Sequence, residues 1–203
     1  MTKNVKTSIM DDTKTDQRRA IVLREAFSAF THYGFKRTTM DDIARAAGIS
    51  RPALYLVYRN KADIFRACML SMMDEMRARV AACFAGDADV VRKVEQALDE
   101  GILRPHREIS ATTHGAEIFD TSHEFAADLF LAWMQTMEEE IARGLQAEAQ
   151  AGRITFVSGL SPATVASLML DAVEGMKSRN SDMDLVAEKI RHLVCLMIGP
   201  LIR

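Results

Sequence analysis

The densest cluster of side chains able to ligate a metal or move a proton lies between residues 106 and 123, where His106, His114 and His123 alternate with Glu117 and Asp120. Their spacings match no standard zinc pattern. Polar handles for a small ligand, or caps around a broken helix, suit them better. Cys68, Cys83 and Cys195 form neither a CxxC pair nor an even-numbered framework, and no signal peptide precedes them. Reduced thiols in a cytoplasm follow, with redox sensing by Cys68 or Cys83 left open. No nucleophile elbow, phosphate-cradling glycine loop, His-Glu-x-x-His or paired-carboxylate motif occurs. An all-helical enzyme is therefore a remote reading, and no cofactor or metal is called for.

Charge points elsewhere. The chain of 203 residues has a net charge of −2, but residues 1–66 hold 13 Lys/Arg against 7 Asp/Glu, while residues 67–203 hold 13 against 21. A basic head on an acidic body suits a protein that meets a polyanion at one end and repels it elsewhere. The composition has 48% hydrophobic residues, 13 methionines, 10 glycines and 4 prolines, with apolar residues at helical spacing. These features predict an all-α protein with a sizeable core built from aliphatic side chains and flexible methionines. The most apolar stretch, Leu193 to Ile202, is too short to span a bilayer.

The elements that position the basic residues can be placed from local signals. Residues 1–15 read as a mobile polar arm. A helix from about Asp16 carries the buried stripe Leu23, Ala26, Phe27 and Phe30, with Gly34 at its C-cap and Phe35 folding back. Thr39 and Asp42 form a weak capping box for a short second helix that ends at Gly48. Ser50 caps a third helix, with Pro52 in its first turn, running to about Val57. A fourth helix runs from Asn60-Lys61 to about Phe84. A fifth, bearing Val90, Val94, Ala97, Leu98 and Gly101, is closed by Pro105. Further helices are expected over about 124–150, from Ser161-Pro162, and from about Asp184, making about nine in all.

The segment from Met40 to Arg59 meets the physical needs of a helix-turn-helix. Two short helices crossing steeply need a small residue at their closest approach, which Ala44 supplies. The turn needs a residue that tolerates positive φ, which Gly48 supplies. Ile43, Ala47, Ile49, Leu54 and Val57 are expected to lock the pair onto the first helix.

The run TTMDDIARAAGISRPALYLVYRNKADIF, preceded by AFSAFTHYGFKRTT, resembles the TetR (tetracycline-repressor-like) family of bacterial transcriptional regulators over about residues 20–66. Beyond that, only the layout of helices is similar. The resemblance implies a three-helix DNA-binding domain over 16–62 and an effector-binding and dimerisation domain over 63–203. It makes Ser50 to Val57 the recognition helix, with Arg51 contacting guanine, Pro52 and Ala53 offering apolar contact, and Ser50 and Leu56 on the same face. It implies phosphate contacts from Tyr55, Thr39, Lys61, Arg37 and Arg59. Pro52, Val57 and Tyr58 stand where the family usually has a small or polar residue, His and Phe. Without the His, base reading is sparse, and specificity leans on Arg51 and DNA shape. Tyr58 is expected in the core.

The resemblance also implies a body that encloses a small-molecule pocket and pairs its last two helices with their copies. Met69, Met72, Met73 and Met76 form a stripe able to mould to an apolar or amphipathic effector. Phe119, Phe125, Phe130, Trp133, Met134 and Met137 supply opposing walls, and His106, His114 and Glu117 polar handles. The homodimer face is expected at Val165, Leu168, Met169, Ala172 and Met176, and at Val186, Ile190, Leu193, Val194 and Met197. The implied function is a cytoplasmic, nucleoid-associated repressor, released by its effector from a palindromic double-stranded operator, with no membrane partner. The alternative is a DNA-binding regulator or architectural protein controlled by a protein partner instead.

Overall fold

The computed structural model describes the backbone of residues 3–157, 159–180 and 182–202, with side chains from Asp16 onward. Met1 and Thr2 of the expected arm lie outside these, and from Lys3 the chain is already helical. The elements are α1 (Lys3–Tyr33), α2 (Met40–Ala46), α3 (Arg51–Val57), α4 (Lys61–Ala85), α5 (Val90–Leu98), α6 (Arg104–Ser110), α7 (Gly115–Phe125), α8 (Ala127–Gln150), α9 (Pro162–Arg179) and α10 (Met183–Ile198). Among the described residues no strand forms, and the sole sheet-like pairing is an antiparallel bridge between Ile154 and Ile202.

The chain divides into two compact units. The head runs to Met72 and also takes in Ile109–Ala127, while the body holds Met73–Glu108 and the chain from Asp128 onward. The expected break near residue 62 is thus displaced. The first turns of α4 and the whole of α7 cluster with α1–α3, because they complete its aromatic core. Phe30, Phe35 and Phe65 lie with ring centroids 5.2 to 5.9 Å apart, and Phe125 of α7 stacks on Phe35 at 5.5 Å. Cys68 is buried there and donates its thiol to Leu23 O at 3.3 Å. Burial pushes its pKa up to about 12, so the thiolate that redox chemistry needs is suppressed.

In the body, Pro105 does not close the fifth helix as expected. α5 passes through a π-helical turn, Asp99–Leu103, straight into α6. Proline has no N–H, so the carbonyl four residues upstream, Gly101 O, lacks its helical donor. The indole Nε1–H of Trp133 on α8 supplies one at 3.1 Å. Trp133 and Met137, expected as pocket walls, are accordingly buried, with Met137 filling the space that a Cβ on Gly101 would take.

α9 and α10 pack on each other, and α10 packs on α5. This corrects the expected dimer face. Val165, Met169, Val186, Ile190 and Val194 are spent inside the protomer, while Ala172, Met176, Leu193 and Met197 are half-buried. Of the expected residues Leu168 (52%) does stay exposed, and on α10 Leu185 and Leu196 (76%) join it. Each helix has two apolar faces, and the stronger periodicity belonged to the one facing the core.

The body also buries an ionic knot. Lys93 Nζ of α5 lies 2.9 Å from Glu148 Oε1 of α8, and Arg153 pairs with the same carboxylate. Removing one partner strands a buried charge. Glu148→Ala is therefore expected to cost about 3 kcal/mol in urea unfolding, with much of the loss recovered in Lys93→Met/Glu148→Leu. Hydrogen bonds from Arg153, then from Lys93, hold the Glu148 carboxyl below its ordinary value of 4.5. Its stabilisation is thus complete above about pH 5 and drains as acid protonates the folded protein, a limb that Glu148→Gln will flatten.

Candidate nucleic-acid interface

The interface is built from two seven-residue helices, each too short to persist alone, so their ends and their support decide the geometry. α1 stops because Gly34 adopts φ +89 while donating its N–H to Phe30 O at 3.0 Å. Phe35 then turns into the core. Thr38 Oγ1 donates to Gly34 O at 2.8 Å, which closes the turn.

α2 opens with a complete capping box. The Asp42 N–H donates to Thr39 Oγ1 at 3.2 Å, and the Thr39 N–H donates to Asp42 Oδ2 at 3.0 Å. Hydrogen bonds from Thr39 hold the Asp42 carboxyl below its ordinary range. At the far end Gly48 takes φ +66, and Ile49 N–H returns to Ala44 O at 3.0 Å. Ser50 Oγ accepts from Ala53 N–H at 3.3 Å and starts α3.

Leu54 anchors α3 by complete burial, and on its outer side Tyr55 (43%) and Leu56 (88%) stand in solvent with Arg51 and Pro52. Val57, expected to lock inward, is exposed as well. Arg51 is held rather than free: Nη1 donates to Asp41 Oδ2 at 2.9 Å, and the guanidinium carbon lies 5.5 Å from the Tyr55 ring centroid. Asp41 and Tyr55 therefore orient the one strong donor on this face. Tyr58 is half-buried, and burial raises its hydroxyl pKa.

Lys61 differs from what its position implied. Its ammonium donates to Phe35 O at 2.6 Å, Lys36 O at 3.1 Å and Thr38 O at 3.0 Å, and lies 4.5 Å from the Phe35 ring centroid. Three protons have three carbonyl acceptors, so this cation braces the turn before α2 instead of standing ready for a phosphate. Burial lowers its pKa. Arg37 and Arg59 are exposed.

His114 and Glu117, expected among the effector's polar handles, belong to the head. His114 N–H donates to Thr31 O at 3.0 Å, and Glu117 Oε1 accepts the Lys36 N–H at 2.7 Å. α7 thereby grips the same turn as Lys61. His106 falls in the body, where burial and then Lys177 lower its pKa. Among the described residues no cluster of His, Cys, Asp and Glu is arranged to hold a metal. Of the other expected pocket residues, Met69, Met72 and Phe119 lie in the head, and Met73, Met76, Phe130 and Met134 in the body.

Two short helices joined through a left-handed glycine, with the second anchored by one leucine and otherwise bare, define a helix-turn-helix. Residues 22–68 match the family described as bacterial regulatory proteins, tetR family. That similarity is confined to the N-terminal part of the chain. The chain is 37% identical over 59 residues to the HTH-type transcriptional regulator TtgR of Pseudomonas putida, covering 29% of this chain and 28% of that protein. It is 31% identical over 62 residues to the uncharacterized HTH-type transcriptional regulator YhgD of Bacillus subtilis (strain 168), covering 30% and 32%. These matches span about a third of the relatives' length. The fold as a whole is similar to SmeT, the repressor of the Stenotrophomonas maltophilia multidrug efflux pump SmeDEF, with a TM-score of 0.62 at 17% identity over 91% of this chain and 90% of that one. It is also similar to SmeT in its triclosan complex, with 0.60 at 16% over 92% of each.

The two glycines of the head make a discriminating test. A Cβ on Gly48 would meet nothing within 4 Å, whereas one on Gly34 would lie 2.5 Å from Glu117 Oε2. Gly48→Ala is expected to cost only the left-handed penalty of about 1 kcal/mol. Gly34→Ala will cost measurably more in thermal unfolding, and Gly34→Ala/Glu117→Ala will lose less than the sum of the single changes.

Proposed function

We propose that this chain is a DNA-binding transcriptional regulator, a two-fold dimer that reads a palindromic operator with α3 and is released by an apolar or amphipathic small molecule. The observation that carries this reading is the exposed face of α3, where Arg51 is oriented by Asp41 and Tyr55 on a helix fixed by Leu54. A forked guanidinium on a protruding helix suits the O6 and N7 acceptors of guanine. Pro52, Ala53 and Leu56 offer apolar contact beside it, and Ser50 sits at the entering end. Tyr55, Arg37 and Arg59 supply hydrogen bonds and charge to the backbone phosphates, whereas Thr39 spends both its donors on Asp42. Lys61 contributes by holding the turn that carries Arg37 and Thr39.

A two-fold arrangement would set two copies of α3 about one turn of DNA apart. Its contact surface is proposed at Leu168, Leu185 and Leu196, flanked by Ala172, Met176, Leu193 and Met197. Supporting an effector are the methionine-rich helices and the triclosan carried by the similarly folded SmeT. The effector would act by binding the DNA-free form more tightly, lowering operator affinity by population shift. None of the described helices is long and apolar enough to cross a membrane, and we place the protein in the cytoplasm at the nucleoid.

Selection from random duplexes tests the reading. The intact protein is expected to enrich a palindrome, and Arg51→Ala to lose about 1–3 kcal/mol on that site alone, with little change on unrelated DNA. No enriched site, or equal loss on all DNA, would refute it. Leu196→Glu is expected to sediment as a monomer with unchanged helicity. A dimer surviving that substitution would place the contact elsewhere.

A further inference from the structure

A cavity of about 590 Å³ opens in the head on the side of α2 that bears Asp42, Arg45 and Ala46. The end of α1 contributes His32 and Tyr33, the turn before α2 contributes Arg37, and the start of α7 contributes His114. No residue of α3 lines it. Its size is that of a small-molecule site rather than of a surface crease.

The charge inside is unbalanced. Two guanidiniums, Arg37 and Arg45, face one carboxylate, Asp42, while the His114 imidazole already has Glu117 Oε2 3.4 Å from its Nδ1. That carboxylate is already occupied, accepting both the N–H and the hydroxyl of Thr39 through Oδ2, at 3.0 and 2.6 Å, and standing 3.5 Å from Arg45 Nη1 through Oδ1. Arg37 has no acidic partner within 4 Å among the described residues. The ring of His32 is fixed, because its Nδ1 donates to Ser28 O at 2.8 Å and so turns Nε2 away from that carbonyl. Tyr33, 68% exposed, adds a hydroxyl and an aromatic wall.

The geometry points to this groove as a binding site for a small phosphomonoester, with the phosphate held by Arg37 and Arg45 and its organic part against Tyr33 and His32. Guanidiniums take phosphate oxygens in pairs, and while Arg45 stands 3.5 Å from Asp42 in an exposed pair it can turn to share a terminal phosphate with Arg37. A half-open recess between three elements has the size to take a small ligand. Because α2 and α7 both line the groove, a bound ligand ties the helix-turn-helix to α7.

Calorimetric titration of the full chain with phenyl phosphate and with inorganic phosphate tests the site. Saturable binding is expected, tighter for phenyl phosphate. It will weaken by about tenfold or more in Arg45→Gln, the loss of one charge-assisted contact, and stay unchanged in Arg51→Ala. Arg45 is an exposed residue with one surface ion pair, so folding survives, and thermal melts of each variant verify this. Arg45→Lys, which keeps the charge but not the fork, will bind with intermediate affinity. Absence of saturable binding, or binding indifferent to Arg45→Gln, overturns the proposal. So does a variant whose only defect is weaker duplex binding, which would assign the groove to the DNA backbone. Since phenyl phosphate is titrated without DNA, failure here leaves the reading of α3 untouched.

Discussion

A helix-turn-helix of two seven-residue helices depends on something outside itself, and here it depends on one ammonium group. The turn between α1 and α2 brings the carbonyls of Phe35, Lys36 and Thr38 to one point, and Lys61 at the start of α4 gives each of them a proton. A neutral donor could serve one of these oxygens. A charged group with three protons serves all of them and makes stronger bonds in a half-buried setting. The same ammonium rests on the Phe35 ring, so the polar brace and the aromatic core are a single arrangement. Glu117 secures the remaining side of the turn by accepting the Lys36 N–H.

With the turn fixed, the consequences run outward. Thr39 is held where its capping box can start α2, α2 holds Asp41, and Asp41 holds Arg51. α3 can then leave most of its surface bare, with Leu54 alone fully buried. Exposure of Leu56, Val57 and Tyr55 has an energetic cost that a free-standing helix could not bear. Burial of Phe30, Phe35 and Phe65 in the aromatic core of the head offsets it.

Features set by neighbouring residues were legible in the sequence, and those set by distant ones were not. Thr39, Ser50, Gly34 and Gly48 act within four residues of themselves, and their roles follow from cap and turn chemistry. Lys61 finds its acceptors 23 to 26 residues upstream, so its position alone suggested a phosphate anchor. Pro105 read as a stop because the sequence shows the missing N–H but not Trp133, which replaces it from another helix. His114 and Glu117 were grouped with the effector's contacts through proximity to other polar residues, whereas the fold docks α7 on the end of α1. In α9 and α10 the strongest periodicity marked the protomer's own core, and the surface left over for a partner emerged only once that core was packed.

The brace by Lys61 is most directly tested by amide hydrogen exchange in Lys61→Met, which keeps the length of the stem and removes the charge. Protection at Ile43, Ala47 and Leu54 is expected to fall by about tenfold or more as local opening of α2 and α3 becomes easier. Unchanged protection across 38–57, together with weaker duplex binding, would contradict this account, because the ammonium would then be acting on DNA and not on the fold.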